Sequence, residues 1–187
     1  MTTMKNQTAD FRERKGRPWY RRRSLIMVIT LLVLPGGYAT WTNVVPYTLR
    51  ASVKINATPQ QVWIVLTDQA AYPRWNPFII SSRGQLRAGS TATNIMHDAT
   101  GNTTFTPVVE VVQPGRELRW IGRVGPGGIF DGEHTFAIQQ IRPGVVMFTQ
   151  QERFTGIGVP FYEGHLRADT LPQFRAMNAA LARLAGR

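Results

Sequence analysis

The chain carries no charged side chain between Arg23 and Arg50, although charged residues make up 18% of its length. This stretch begins with Leu25 to Leu34, which is apolar at every position except one. A membrane-spanning helix needs about 20 predominantly apolar residues, and the stretch is long enough to supply them. The sequence therefore predicts three parts: a basic tail over residues 1–23, a membrane anchor over 24–46 and one domain over 47–187.

Positive charge is concentrated ahead of the uncharged stretch. Residues 1–23 hold eight basic and two acidic side chains, so more than half of the net charge of +11 lies there. Basic residues beside an apolar segment favour the cytoplasmic side of a membrane. A nucleic-acid-binding domain would instead carry its excess charge on a folded surface. We therefore expect a single-pass membrane protein with a cytoplasmic N-terminus, a domain outside the membrane and no nucleic-acid partner.

A second interpretation of the leader remains open, because Pro35 and two glycines interrupt the apolar run. A helix that breaks at Pro35, followed by cleavage near Ala39, would release an exported soluble domain. We favour a retained anchor, since the small-residue cleavage pattern is poor and the basic region is long for a signal peptide. The chain contains no cysteine, which excludes disulfides and thiolate metal sites in either case.

The pattern of residues beyond the anchor predicts one α+β domain. Residues 48–55 alternate apolar and polar side chains, as expected of a half-buried strand. Thr58-Pro59 has the residue types of a helix start, and a second short helix or turn ends at Trp75-Asn76-Pro77. Strands separated by glycine and proline turns are predicted at 78–86, 90–97, 103–113, 116–123, 129–141 and 145–155.

A long helix is predicted at the C-terminus. Apolar residues recur there every three or four positions and form one stripe, with Pro172 at the start or at a kink. The stripe consists of Leu171, Phe174, Met177, Leu181 and Leu184. Strands joined by tight turns form an antiparallel sheet, and we expect the helix to pack across one face of it.

Several segments of the domain resemble the START-like, Bet v 1-like superfamily, which includes polyketide cyclase/dehydrase and lipid-transport proteins and other SRPBCC-type domains. The most specific is Trp75-Asn76-Pro77-Phe78. The segments are residues 55–63, 66–68, 72–78, 118–120, 132–136, 152–154 and 174–181, together with Gly84 and Gly89. The resemblance implies a helix-grip fold, in which a curved seven-stranded antiparallel sheet wraps around a long C-terminal helix with an apolar cavity between them. It implies little about a reaction, because fold does not determine function.

The strongest polar signal is a predicted pair, His134 and Glu152. Both lie on the mainly apolar face of their strands, because side chains alternate with a period of two. If residues 142–144 form a three-residue loop, Ile141 pairs with Val145 and His134 lies opposite Glu152. A two-residue loop would shift the register by one residue and separate them.

Two roles for this pair are possible. A histidine whose tautomer is held by a carboxylate could act as a general base in cyclisation or dehydration. The pair could equally be a satisfied polar contact at the mouth of a cavity that holds a ligand headgroup or the helix. We favour the second role for His134 and Glu152, because buried ion pairs also arise for structural reasons.

We therefore expect a membrane-anchored domain that binds a hydrophobic small molecule or lipid without catalysis. The alternatives are a cyclase or dehydratase that uses His134 with Glu152, and a fully packed module that binds a protein. The sequence indicates no cofactor and no metal site, and it does not indicate an oligomeric state. The expected ligand-binding residues are Trp63, Trp75, Phe78, Trp120, His134, Phe136, Phe148, Glu152, Phe174 and Met177.

Overall fold

The computed structural model describes residues 19–98 and 101–187 of the chain. The chain divides into two units between Gly37 and Tyr38. Helix α1, Trp19–Val44, begins in the first unit and ends in the second. The helix runs through Pro35 without a break, whereas the export interpretation assumed a break there. A proline removes one helical hydrogen bond but does not always end the helix. Its Arg22–Val44 segment is long and apolar enough to cross a membrane.

The second unit is built on antiparallel strands. Eight occur in the part of the chain that the structure describes, in a five-stranded sheet of order β1-β8-β7-β6-β5 and a three-stranded sheet of order β2-β3-β4. Their bounds are β1 Tyr47–Ile55, β2 Ile79–Gly84, β3 Ala92–Asp98, β4 Gly101–Phe105, β5 Val108–Gln113, β6 Glu117–Arg123, β7 Asp131–Arg142 and β8 Val145–Thr155.

The single strand predicted over 103–113 is divided between the two sheets. It bends at Thr106-Pro107, so that β4 pairs with β3 and β5 pairs with β6. The sheets remain joined at this bend, where Thr91 bridges Val108 and the amide of Ala92 donates to the carbonyl of Pro107. When β4 and β5 are counted as one bent strand, the domain has the seven strands that were predicted.

Helices follow the first strand, β1, and the last strand, β8. Thr58 caps α2 as predicted, and it forms a capping box with Gln61. The helices after β1 are α2 Pro59–Thr67, a 3₁₀-helix at Gln69–Ala71 and α3 Tyr72–Trp75. Those after β8 are a 3₁₀-helix at Val159–Phe161, α4 Glu163–His165, a π-helix at Leu166–Thr170 and α5 Leu171–Ala185.

Helix α5 packs its apolar stripe into the hollow of the sheet. Phe174, Met177 and Leu181 have no exposed surface, whereas Leu184 at the end of the stripe is 36% exposed. Full burial of such a side chain contributes about 1.5–3 kcal/mol. The amide of Asn178 also donates to the carbonyl of Ala51 in β1 at 3.1 Å. The helix-grip α+β fold predicted from the sequence is therefore confirmed.

Candidate functional site

The β7–β8 hairpin pairs His134 directly with Glu152, as predicted. The turn that produces this register differs from the expected one. Arg142 pairs with Val145, which leaves a two-residue loop, and Ile141 is an extra residue bulged out of the ladder. The bulge offsets the shorter loop, so the register is the one that a three-residue loop would give.

His134 is held at both ring nitrogens. Its Nδ1 lies 3.3 Å from Oε2 of Glu152, and its Nε2 lies 3.0 Å from the amide nitrogen of Gln150. Because the Gln150 amide donates to Nε2, the ring proton is on Nδ1 and is donated to Glu152. Gln150 is fully buried, so the three side chains form an oriented chain of hydrogen bonds that ends on the carboxylate.

The imidazole of His134 is enclosed by aromatic rings. Its centroid lies 4.5 Å from that of Phe136, 5.0 Å from that of Phe174 and 5.6 Å from that of Trp120. Only 4% of the residue is exposed. The imidazole therefore belongs to the packed core.

Glu152 instead borders a cavity of about 190 Å³ at one end of the sheet, which we call the Glu152 cavity. Of the described residues that line this cavity, Glu152 alone has a charged side chain. The walls come from β3, β4, β6, β7, β8, their loops and the π-helix: Phe78, Met96, Thr103, Phe105, Gly122, Val124, Phe130, Gly132, Glu152, Phe154, Leu166 and Thr170.

Two glycines make room for this arrangement. Gly122 and Gly132 pair with each other across β6 and β7. A Cβ on Gly132 would lie 2.7 Å from Oε1 of Glu152, and a Cβ on Gly122 would overlap the ring of Phe105. Neither glycine was predicted from the sequence to be a site residue. The available signal was a glycine within a strand, which often marks a close approach of another group.

The structure distributes the ten expected ligand-binding residues among three places: the cavity wall, the core and a surface groove. Phe78 and Glu152 line the Glu152 cavity, and His134 lies behind Glu152 in the core. Trp75 is partly buried and lines a surface groove beside α2 and α3. The remaining members are buried in the hydrophobic core: Trp63, Trp120, Phe136, Phe148, Phe174 and Met177.

The side chain of Asn76 hydrogen-bonds the backbone of the residues that follow it. Its side-chain oxygen accepts from the amides of Phe78 and Ile79 at 3.0 and 2.9 Å. These bonds position Phe78 at the cavity wall. Among the described residues, no three His, Asp or Glu side chains are grouped as metal ligands would be.

A family model described as polyketide cyclase/dehydrase and lipid transport matches residues 46–186. The matched segment contains all eight described strands and all of α5. The comparison with curated proteins finds no match.

Solved structures share the fold at low sequence identity. The two-domain aromatase/cyclase BexL of the BE-7585A biosynthetic pathway has a TM-score of 0.65 at 15% identity, over 90% of this chain and 60% of that one. The Zhui aromatase/cyclase from Streptomyces sp. R1128 has a TM-score of 0.62 at 15% identity, over 75% and 93%. A START superfamily protein from Mycobacterium smegmatis has a TM-score of 0.57 at 18% identity, over 73% and 98%.

Proposed function

Because the chain belongs to the polyketide cyclase/dehydrase and lipid transport family, we propose that its domain binds a hydrophobic small molecule or a lipid group in the Glu152 cavity. The observation that carries this proposal is the cavity itself, which has mostly apolar walls and a single carboxylate. Pockets for small molecules typically combine apolar walls with a few polar groups that orient the guest.

The size of the cavity limits the guest. An apolar cavity of about 150 Å³ holds a benzene molecule, and the Glu152 cavity measures about 190 Å³. It therefore suits one ring, a fused pair of rings or a short acyl segment. A lipid with two long chains would have to leave most of its length outside.

The enclosure of His134 favours binding over catalysis. The imidazole is 4% exposed and both of its nitrogens are hydrogen-bonded, so it cannot approach a guest without disturbing the core. A general base must come within hydrogen-bond distance of the proton that it removes. In this pair, Glu152 meets that requirement.

Catalysis by a cyclase or dehydratase is the second candidate, and the orientation of Glu152 supports it. A carboxylate that faces an apolar cavity is placed to accept a proton from a carbon next to a carbonyl group. In this version of the mechanism Glu152 contacts the substrate and His134 positions the carboxylate. Two of the three similar structures described above are aromatase/cyclases, but their likeness to this chain concerns the fold.

Native mass spectrometry of the full chain in mild detergent tests the binding proposal. We expect a bound hydrophobic compound that is lost in Leu166→Trp, because Leu166 is a buried wall residue and the larger ring fills the cavity. The exposed Leu184→Trp is the matched control and should retain the compound. An equal amount of bound compound in both variants would contradict the proposal. If the compound that co-purifies is converted by the wild type but not by Glu152→Gln, the domain is an enzyme.

We also propose that residues 24–46 remain in place as a membrane anchor, with the N-terminus in the cytoplasm. Support comes from the length and composition of Arg22–Val44. It also comes from Ala39, whose carbonyl accepts from the side chains of Thr42 and Asn43 at 3.2 and 2.8 Å within α1. A peptidase that cuts near Ala39 would have to unwind this turn, whereas proteolysis favours exposed and irregular chain.

Carbonate extraction of membranes, followed by N-terminal sequencing, tests the anchor. We expect the intact chain in the membrane fraction. Leu32→Arg, near the middle of the apolar helix, should weaken insertion, since arginine there costs about 2.5–3.5 kcal/mol. Leu32→Ala is the control. A soluble protein that begins after Ala39 would instead support export and cleavage.

A further inference from the structure

The two oxygens of Glu152 have different surroundings. Oε2 accepts the Nδ1 proton of His134 at 3.3 Å. Oε1 has no hydrogen-bond partner in the described part of the chain, and it lies over Gly132, a residue that also lines the Glu152 cavity. The side chain of Glu152 is 12% exposed. One carboxylate oxygen is thus held in place while the other is available to whatever enters the cavity.

The hydrogen-bond chain behind Glu152 defines it as an acceptor. The amide of Gln150 donates to Nε2 of His134, and Nδ1 of His134 donates to the carboxylate. A carboxylate that accepts one such bond on Oε2 keeps the lone pairs of Oε1 free. Glu152 therefore offers a guest an oriented carboxylate acceptor.

The other described residues that line the cavity carry no positive charge to balance the carboxylate of Glu152. Neither lysine nor arginine occurs among the described residues that line the cavity, and its remaining polar side chains are the hydroxyls of Thr103 and Thr170. Neutral hydroxyls cannot compensate for a second negative charge beside Glu152. An anionic guest would have to leave water and face a like charge in apolar surroundings, which is unfavourable on both counts.

We infer that the Glu152 cavity selects compact hydrophobic guests that present a hydrogen-bond donor, such as a hydroxyl or a protonated amine, and rejects carboxylates and phosphates. The inference rests on the proposed binding function and specifies its ligand class. Hydrogen bonds to an ionised acceptor are stronger than neutral ones, so donors, and protonated amines above all, gain affinity over a plain hydrocarbon. The carboxylates of fatty acids and the phosphate groups of phospholipids are excluded as the group that meets Glu152.

Equilibrium dialysis with four naphthalene probes tests this selection. The full chain is placed in zwitterionic lipid nanodiscs, and uptake by empty nanodiscs is subtracted. The probes share one ring system that suits the cavity: naphthalene, 2-naphthol, 2-naphthylmethylamine and 2-naphthoate. We expect the amine and the naphthol to bind about tenfold or more tightly than naphthalene, and the naphthoate to bind about tenfold or more weakly.

Glu152→Gln supplies the matched comparison, since it keeps the shape of the side chain and removes the charge. It should abolish the preference for the amine, restore naphthoate to within a fewfold of naphthalene and leave naphthalene unchanged. Glu163→Gln makes the same charge change outside the Glu152 cavity and should leave all four affinities as in the wild type. Leu166→Trp should reduce binding of all four probes.

The outcomes separate the two proposals. If naphthalene binds but naphthoate binds as tightly as the amine, the selection is refuted while the binding function stands. The same holds if Glu152→Gln leaves the ranking unchanged. If no probe binds above the nanodisc background, the binding function fails and the inference fails with it. The four-probe series on the wild type decides the question even if Glu152→Gln does not fold.

Discussion

Nδ1 of His134 lies 3.3 Å from Oε2 of Glu152, and this bond joins two environments. On one side is a packed aromatic core that contains Phe136 and Phe174; on the other is a cavity of about 190 Å³. Changes to the core around His134 can therefore alter the orientation of the carboxylate without touching the cavity wall. Only Glu152 of the pair borders the cavity, because His134 lies in the core.

Gly132→Ala tests the placement of Glu152 without a change of charge. The new Cβ would lie 2.7 Å from Oε1, so the carboxylate must move. We expect binding of the naphthylmethylamine probe to weaken about tenfold, while naphthalene changes less, as measured by equilibrium dialysis. Gly164→Ala in α4 is the control, because nothing lies within 4 Å of its added Cβ. Equal effects of both substitutions would argue against a positioned carboxylate.

Phe174→Ala tests the role of α5 as the filled centre of the domain. Phe174 is fully buried and its ring contacts those of Phe78 and His134. Loss of a buried phenyl group from a packed core costs about 3–5 kcal/mol, to be measured as the free energy of unfolding in urea. Leu184→Ala, at a position that is 36% exposed, should cost about 1 kcal/mol or less. A similar loss for both would mean that the stripe is not the core contact of α5.

Because of Tyr72, the stability of the domain should decrease with rising pH in the alkaline range. Its hydroxyl is buried and donates to the carbonyl of Leu66 at 2.6 Å. Burial, and secondarily the charge of Asp68, raises the pKa of Tyr72 well above its ordinary value of 10.0. Above pH 10 the unfolded chain releases this proton while the folded chain keeps it, so stability is complete below pH 10 and falls as the pH rises towards the folded pKa.

We expect Tyr72→Phe to cost about 1–3 kcal/mol at pH 7, because the carbonyl of Leu66 loses its partner. Above pH 10 the difference between wild type and variant should shrink by about 1.4 kcal/mol per pH unit. Urea unfolding between pH 8 and 11 measures both effects. The exposed Tyr162→Phe should show neither. A constant difference across this range would contradict the buried, protonated hydroxyl.

Deletions at the β7–β8 turn test the bulge. Without Ile141 the ladder would continue from Arg142–Val145 directly to Gln140–Val146, so His134 would still face Glu152. We expect this deletion to keep probe binding. Deletion of Ile141 together with Gln140 should shift the strand by one residue, turn its core side chains towards solvent and unfold the domain. Both residues are exposed, so lost burial does not explain a difference. If the domain tolerated both deletions equally, the bulge at Ile141 would not be what keeps the strands in register.

Much of the fold could be predicted because its signals are local. The capping residues at Thr58, the alternation in β1 and the stripe on α5 depend on neighbours in sequence. The pairing of His134 with Glu152 was also predictable, since a slip by one residue would turn the apolar face of one strand outward and the short turn leaves no room for a larger slip. The predicted three-residue loop was wrong, because a two-residue loop with a bulge produces the same register.

The cavity could not be located from the sequence for a physical reason. Periodicity shows that Phe136 and Phe148 face inward, but not whether α5 fills the hollow of the sheet. Phe174 of α5 is fully buried against Phe78 and His134, and the open volume lies where Gly122 and Gly132 meet across two strands. Such a gap depends on which residues become neighbours in three dimensions.

The bulge at Ile141 also governs how related chains should be compared with this one. Family members with one residue fewer in this hairpin can form the same ladder, provided that the missing position is among residues 139–141. An alignment that places its gap between His134 and residue 139 would match core residues of β7 with solvent-facing ones.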